Sequence, residues 1–325
     1  MSVDRAVDPP VDAAVVVAVI ACLEPRGGLV QVVVDLLRQV EAVVVVDDGS
    51  VAAADVFAAL EAAGASVVHQ PNAGIAAALN AAIDVARRRF APELVLTLDQ
   101  DSRPASDYVE RAVGTWREAT RRGVAVAFVA AESYSGRRAP TDGVVHGLAR
   151  AFDPMQSGWV VPVSTLDVVG ALEEDLVIDG VDSEFTIRCR TLGLDPVVAP
   201  GCALEHGQGE RLPAVILGRR VALAGRPLSW NRHAPVRVYY MTRNGTLLTR
   251  RHLLAQPRWV LRRLGQETQA HLLRLAFSPD RALLARAIAA GWRDGLAGRA
   301  GRIAPALERR LGGRVPQPPT KRRRG

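Results

Sequence analysis

Short runs of valine and other apolar residues pace the first 130 residues of the chain, at Val15–Ala21, Val43–Val46, Val67–His69, Leu94–Leu98 and Val124–Ala130. Each run is apolar throughout, without the alternation of a strand that has one wet face. Each therefore reads as a strand covered on both sides. Helix-length stretches lie between them, at Leu29–Leu37, Ala52–Ala63, Ile75–Arg89 and Ala105–Arg121. Strands alternating with helices predict an α/β fold with a mostly parallel sheet flanked by helices. In such sheets ligands collect outside the carboxyl ends of the strands. The residues just after each apolar run are where chemistry is to be sought.

Two of these ends are acidic. The second run leads into Asp47-Asp48-Gly49-Ser50, and the fourth into Asp99-Gln100-Asp101-Ser102. Carboxylates on a strand-end turn can accept hydrogen bonds from a base and a ribose, or can simply cap the next helix. Aspartates at i and i+2 can hold Mg²⁺ or Mn²⁺, which in turn neutralises a diphosphate. Two acidic turns at one end of one sheet repel each other, so a cation or ligand is expected to offset them. Farther on, Ile178-Asp179-Gly180-Val181-Asp182-Ser183-Glu184 opens a helical stretch closed by Gly193. Asp182 stands there as a helix cap or a general base, and Glu184 favours the positive helix start. A strand-like run ends in Glu205-His206-Gly207, a histidine that comes after a metal-binding candidate.

The remaining segments organise around this core. Residues 132–157 read as a polar, mobile loop, residues 158–210 as a mixed region, and the pattern turns helical from about 235. There Leu261, Leu264, Thr268, Leu272 and Leu275 recur at helical spacing among Arg258, Arg262, Arg263 and Arg274. Gly291, Gly295, Gly298 and Gly301 punctuate the chain beyond that stretch. The expected division is an N-terminal tail at 1–12, an α/β domain at 13–234, a helical C-terminal extension at 235–312 and a disordered basic tail at 313–325.

The net charge of +7 is a remainder. Residues 1–210 hold 16 Arg against 30 Asp and Glu, whereas residues 211–325 hold 25 Lys and Arg against 4 Asp and Glu. An acidic body with a basic end argues against nucleic acid as the partner and suits peripheral contact with an anionic membrane. Cys22, Cys189 and Cys202 are scattered, which excludes a disulfide framework or zinc ribbon. The longest apolar run, Ala13–Leu23, is short for a bilayer and comes after Asp4, Asp8 and Asp12 rather than basic residues. The expected location is cytoplasmic, with peripheral docking on the inner face of the plasma membrane.

Taken in order, these motifs resemble the inverting nucleotide-sugar glycosyltransferases of family 2, with a GT-A type, Rossmann-like fold. The series is most similar to that of bacterial rhamnosyltransferases. The resemblance rests on Asp47-Asp48-Gly49-Ser50, Asn72-Ala73-Gly74-Ile75, Leu98-Asp99-Gln100-Asp101-Ser102, Ser157-Gly158, Val169-Gly170-Ala171-Leu172, Ile178 through Arg188 and Glu205-His206-Gly207. It continues through Tyr239-Tyr240-Met241-Thr242-Arg243-Asn244 and Asp294-Gly295-Leu296-Ala297-Gly298-Arg299, so that it spans about residues 13–301. It departs at Ala21-Cys22-Leu23-Glu24-Pro25, where relatives usually carry Tyr-Asn-Pro, and at Asp48, where rhamnosyltransferases often carry Asn.

The resemblance implies roles. Asp182 would be the catalytic base. Asp47, Asp48, Asn72, Gly74 and Asp99 would bind the donor nucleotide. Asp99, Asp101 and His206 would hold a divalent cation, Mg²⁺ or Mn²⁺. Gly158, Glu184, Arg188, Arg243 and Asn244 would contact acceptor or phosphate. The implied reaction moves a sugar, best taken as L-rhamnose from dTDP-rhamnose, to a hydroxyl of a lipid-linked or polysaccharide acceptor in cell-envelope glycan synthesis. A UDP- or GDP-sugar donor, a sugar nucleotidyltransferase, and a non-catalytic nucleic-acid or scaffold protein are the alternatives, in that order.

Overall fold

The computed structural model describes residues 14–207, 211–216, 219–223 and 226–312; the expected tails at 1–12 and 313–325 lie outside the described residues. The chain opens with β1 (Val16–Cys22), α1 (Gly28–Leu36), β2 (Ala42–Asp47), α2 (Ala54–Ala62), β3 (Ser66–His69), α3 (Ile75–Phe90) and β4 (Leu94–Asp99). It continues with β5 (Ser102–Pro104), α4 (Tyr108–Arg121), β6 (Val126–Tyr134), β7 (Arg137–Arg138), β8 (Thr141–Val145) and β9 (Leu148–Ala151). Then come β10 (Trp159–Pro162), α5 (Val163–Val169), α6 (Val181–Thr191) and β11 (Asp195–His206). Toward the C-terminus of the described residues lie α7 (Pro235–His252), α8 (Pro257–Phe277), α9 (Arg281–Leu296) and α10 (Pro305–Arg310).

The main sheet runs β3-β2-β1-β4-β10-β6-β11-β9-β8. Strands β3, β2, β1 and β4 are mutually parallel, β11 is parallel to β6, and β10 enters antiparallel between β4 and β6. The continuous valine runs have their reason in the two faces. Val16, Ala18, Ile20 and Cys22 of β1 pack into the core under α1, α2 and α4, while Val17, Val19 and Ala21 pack into the core under α3, α5 and α6. Neighbouring β2 divides the same way, with Val43 and Val45 on one face and Val44 and Val46 on the other. Burying each such side chain stabilises the fold by roughly 1.5–3 kcal/mol, so a polar residue anywhere along β1 would be costly.

Residues 132–157 differ from the mobile loop expected of them. They form two hairpins: β7 folds back on β6, and β9 pairs with β8 and β11. Each turn carries two residues with positive φ, Ser135 with Gly136 and His146 with Gly147, which is the backbone of a tight hairpin turn. Ser-Gly and His-Gly stand where Asn-Gly would have announced the turns.

Gly291 and Gly295 likewise lie inside α9 instead of breaking it. A Cβ at Gly291 would fall 2.8 Å from the Tyr239 carbonyl oxygen, and one at Gly295 would fall 2.8 Å from that of Arg243. The glycines let α9 lie directly on the backbone of α7. A core of Val238, Tyr239, Tyr240, Leu284, Ile288 and Ile303 seals that crossing, and Phe152, Ile187, Trp259 and Val260 pack α8 against the body.

Candidate active site

Register brings the two acidic turns together. Strand β1 lies between β2 and β4, with Cys22 opposite Asp47 and Ala21 opposite Asp99. Two strand spacings separate the turns, about 10 Å. Between them, burial pushes the Cys22 thiol up to about 12, with Asp47 and Asp48 adding to the effect. The thiol is therefore a neutral wall.

The turn after β2 is tightly held. Asp47 accepts from the Ser50 N–H at 2.8 Å and lies 2.8 Å from His69 Nδ1. Burial works against its charge, but these partners outweigh it and hold the carboxyl below its ordinary value. Asp48 accepts from the N–H groups of Ala73 and Gly74, at 2.7 and 2.9 Å, and from Gln70 at 2.9 Å. It thus fastens the 70–74 loop to the strand end. Gly74 has φ +101, and a Cβ there would sit 2.6 Å from the Val177 carbonyl oxygen, so the loop admits only glycine. Asn72 is exposed at this rim and accepts from Arg302.

The turn after β4 gathers ligands from three places. Because β10 runs antiparallel to β4, the residues just before it lie at the carboxyl end of β4. Gln156 donates to Asp99 Oδ1, and the Asp99 N–H donates to Ser157 Oγ at 3.0 Å. Because β11 ends against β5, His206 stands opposite Ser102, with its Nδ1 2.8 Å from Ser102 Oγ and 3.5 Å from Asp101 Oδ1. Ser157 donates in turn to Ser102 at 2.7 Å. Donor atoms of Asp99, Asp101 and His206 all lie within 4.8 Å of one another. Two carboxylates and an imidazole suit Mg²⁺ or Mn²⁺. Burial first, then the charges of Asp101 and Asp182, push the Asp99 carboxyl up to about 7. A divalent cation would relieve that strain, so the residues fit the expected metal. A cavity of about 690 Å³ opens beside the cluster, lined by Asp101, Arg103, Ser133, Ser135, Glu205 and His206 among others.

Asp182 is the second residue of α6, which Gly180 begins in a left-handed conformation. Its Oδ1 accepts from the Ser183 N–H at 2.8 Å. Burial, and after it the charge of Asp153, pushes it too up to about 7. Its charge is felt at Asp99 and at the Tyr134 hydroxyl, and that of Arg237 is felt at both aspartates. Arg237, at the start of α7, grips Asp179 with two N–H groups, at 3.0 and 2.9 Å.

The five residues expected at acceptor or phosphate make their hydrogen bonds within the protein. The Gly158 N–H donates to Thr97 and its carbonyl accepts from Tyr108. Glu184 is buried against Arg188, which also donates to the carbonyls of Val169 and Ala171 at 2.6 and 2.8 Å. Arg243 and Asn244 are fully buried, and their donors meet the carbonyls of Asp175, Leu176, Ile178, Asp179 and Gly301. They hold a loop in which Val177 and Asp179 have positive φ. Buried donors must find acceptors, and strained backbone carbonyls at a rim element supply them.

Several neighbours of the site have no motif to announce them. Glu24, at the departure after β1, accepts from the N–H groups of Val51 and Ala52 and donates its own to Ser50 at 2.7 Å. Gln156 directly precedes the Ser157-Gly158 pair, which was its one available signal. Arg237, Arg263 and Arg302 are three arginines among 25 basic residues of the C-terminal third, indistinguishable there by composition.

Comparison with known proteins bears on the fold and on the first half of the chain. Residues 16–162 match glycosyl transferase family 2. The dTDP-rhamnosyl transferase RfbF of Shigella flexneri is 32% identical over 98 residues, which are 30% of this chain and 30% of that protein; the match thus spans less than a third of that relative. Among solved structures, GalNAc-T7 with UDP, GalNAc and Mn²⁺ aligns over 88% of this chain and 56% of its own, with a TM-score of 0.51 and 11% identity, a likeness of fold. TarS 1–349 of S. aureus in complex with UDP-GlcNAc aligns over 92% of both chains, with a TM-score of 0.49 and 15% identity. The fold is the expected GT-A type, and residues 16–162, less than half of the chain, are similar to glycosyl transferase family 2 domains.

Proposed function

We propose that this protein is an inverting glycosyltransferase that moves a sugar from a nucleotide-diphosphate donor to an acceptor hydroxyl. The observation that carries the reading is the meeting of Asp99, Asp101 and His206 at one strand end, within electrostatic reach of Asp182. Asp182 takes the proton from the acceptor hydroxyl as its oxygen attacks the anomeric carbon. The new C–O bond forms on the face opposite the nucleotide, and the old one breaks with its electron pair leaving on the diphosphate. A divalent cation held by Asp99, Asp101 and His206 would supply charge neutralisation for that leaving group. Asp47, Asp48, Asn72 and Gly74 shape the rim where the nucleotide lies.

The donor is best taken as dTDP-rhamnose, on the strength of the Shigella relative, and the acceptor as a lipid-linked or polysaccharide glycan of the cell envelope. A panel of nucleotide sugars, scored for transfer or hydrolysis with and without Mn²⁺, tests this. Preference for dTDP-rhamnose is the expected result. Preference for a UDP- or GDP-sugar would overturn the rhamnose assignment alone, and indifference to every nucleotide sugar would overturn the whole reading.

Docking on an anionic bilayer fits the outer face of α8. Leu261, Leu264 and Leu272 are exposed along it, Leu254 is almost wholly exposed just before it, and Arg258 lies among them. Glu267, the sole acid of α8, turns inward to Arg263 at 2.7 Å. Among the described residues no helix is long and apolar enough to cross a membrane. Flotation with anionic vesicles but not neutral ones is the expected outcome; equal flotation, or none, would remove the membrane from the proposal.

A further inference from the structure

Asp182 shares its surroundings with a second carboxyl that no motif marks. Ser183 links the two: its N–H donates to Asp182 Oδ1 at 2.8 Å, and its hydroxyl donates to Asp153 Oδ2 at 2.9 Å. Asp153 lies two residues beyond β9, so the hairpin that replaced the expected loop delivers it. From the other side, Arg263 of α8 donates to Ser183 Oγ at 3.1 Å and stands 3.5 Å from Asp153 Oδ2. The same guanidinium pairs with Glu267 at 2.7 Å. The other Asp153 oxygen, Oδ1, is buried and accepts no hydrogen bond.

Three carboxyls therefore face one guanidinium in a site largely shut from water. An ionised carboxylate with a buried, unpartnered oxygen is costly, and carboxyls that share a site raise one another's proton affinity. When Asp182 accepts a proton, its repulsion with Asp153 disappears. A charged Asp153 thus makes Asp182 a stronger base, and Arg263 offsets the effect so that Asp182 is not protonated throughout the neutral range.

We propose that Asp153 and Arg263 are positioning residues for the reaction, a carboxyl and its counter-charge that act through Ser183 to set the proton affinity of Asp182. The proposal rests on the reading of Asp182 as the base. The other groups that bear on Asp182 are Asp179 from the loop before α6, Asp99 from β4, Arg237 from α7 and the Tyr134 hydroxyl from β6. Asp99 and Asp179 raise its proton affinity and Arg237 lowers it. All are retained when Asp153 or Arg263 is replaced, so a shift reports the altered residue.

The test is a titration of the aspartate carboxyls in the full chain by carbon NMR, with the Asp182 signal assigned by its loss in Asp182→Asn. In Asp153→Asn the Asp182 midpoint falls by about one pH unit, a tenfold loss of proton affinity. In Arg263→Gln it rises by a similar amount, and in Arg263→Lys it stays near wild type. A midpoint that does not move in Asp153→Asn and Arg263→Gln, or that moves the same way in both, overturns the proposal. Should one variant fail to fold, the direction in the other decides. The titration needs no donor. Failure of sugar transfer would sink the proposed function, whereas an unmoved midpoint would sink only this one. In an active enzyme the pH–rate midpoint moves with the titration.

Discussion

Arg302 donates to both the backbone carbonyl and the side-chain oxygen of Asn72, joining positions 230 residues apart in the chain. The segment that carries Arg302 is itself pinned: the Ile303 N–H donates to the Tyr240 hydroxyl at 2.9 Å, and the Gly301 N–H to the Asp175 carbonyl at 2.7 Å. The segment between α9 and α10 therefore completes the rim of the proposed nucleotide cleft. Arg302→Ala and Asn72→Ala should each weaken nucleoside diphosphate binding about fivefold, and the double variant should be no worse than either single. Calorimetry with dTDP and with UDP in the presence of Mn²⁺ measures it. Additive losses would show that the two residues act separately.

Replacing the base tests the chemistry at one atom. Asp182→Asn keeps the shape of the α6 start and removes the proton acceptor, so transfer should fall by about 10²–10⁴ while donor binding is retained. Near-wild-type transfer by a folded Asp182→Asn would displace Asp182 from the role.

The two raised carboxyls predict a pH dependence of stability. Burial, then neighbouring carboxylates, push Asp99 and Asp182 up to about 7. Between the ordinary carboxylate value near 4 and that point, the folded protein binds more protons than the unfolded chain. The contribution from these groups is complete below the lower value and is lost as pH rises toward 7. Without cations the wild type should lose more melting temperature between about pH 5.5 and pH 8 than Asp99→Asn does, a comparison that cancels the opposite effect of His233, His252 and His271, whose proton affinity burial lowers. Mn²⁺ competes with protons for the same oxygens, so it should raise the melting temperature far more at the higher pH. An equal effect at both would remove Asp99 from the metal site.

Two helical glycines should respond to alanine with opposite signs. A Cβ at Gly291 would meet backbone atoms of α7 at 2.8 and 3.0 Å, whereas one at Gly265 meets nothing within 4 Å. Gly291→Ala should destabilise by about 1–3 kcal/mol, and Gly265→Ala should stabilise by up to about 1 kcal/mol through helix propensity. Denaturant melts of the two variants check the pair.

The half of the molecule built from doubly covered strands was legible because each valine run has a single solution, a strand with both faces buried. The acidic residues at the ends of β2 and β4 were legible for that reason, and His206 from its place at the end of a later run. The features that stayed obscure in the sequence depend on contacts between distant segments. Tyr239 and Asp294 belong to two separate motifs of the resemblance, yet nothing local says that the tyrosine hydroxyl donates to that carboxylate at 2.9 Å. Arg243 and Asn244 stood out as polar groups of one motif, but the partners they meet were not legible in it. The carbonyls of Asp175, Leu176, Ile178, Asp179 and Gly301 that they meet lie 58 to 68 residues away in the chain.

Arg243 and Asn244 clasp residues 175–179, whose Val177 carbonyl accepts from the Ile75 N–H at 3.1 Å and crowds Gly74. The helices after residue 235 thereby reach the rim at Gly74 through a strained loop, beside the direct contact of Arg302 with Asn72. A chimera that joined this strand-rich body to the helices of a relative would have to transplant the loop and its clasp together. Recombination within such enzymes should tolerate breakpoints along the outer face of α8 far better than a cut between Asp175 and Asn244.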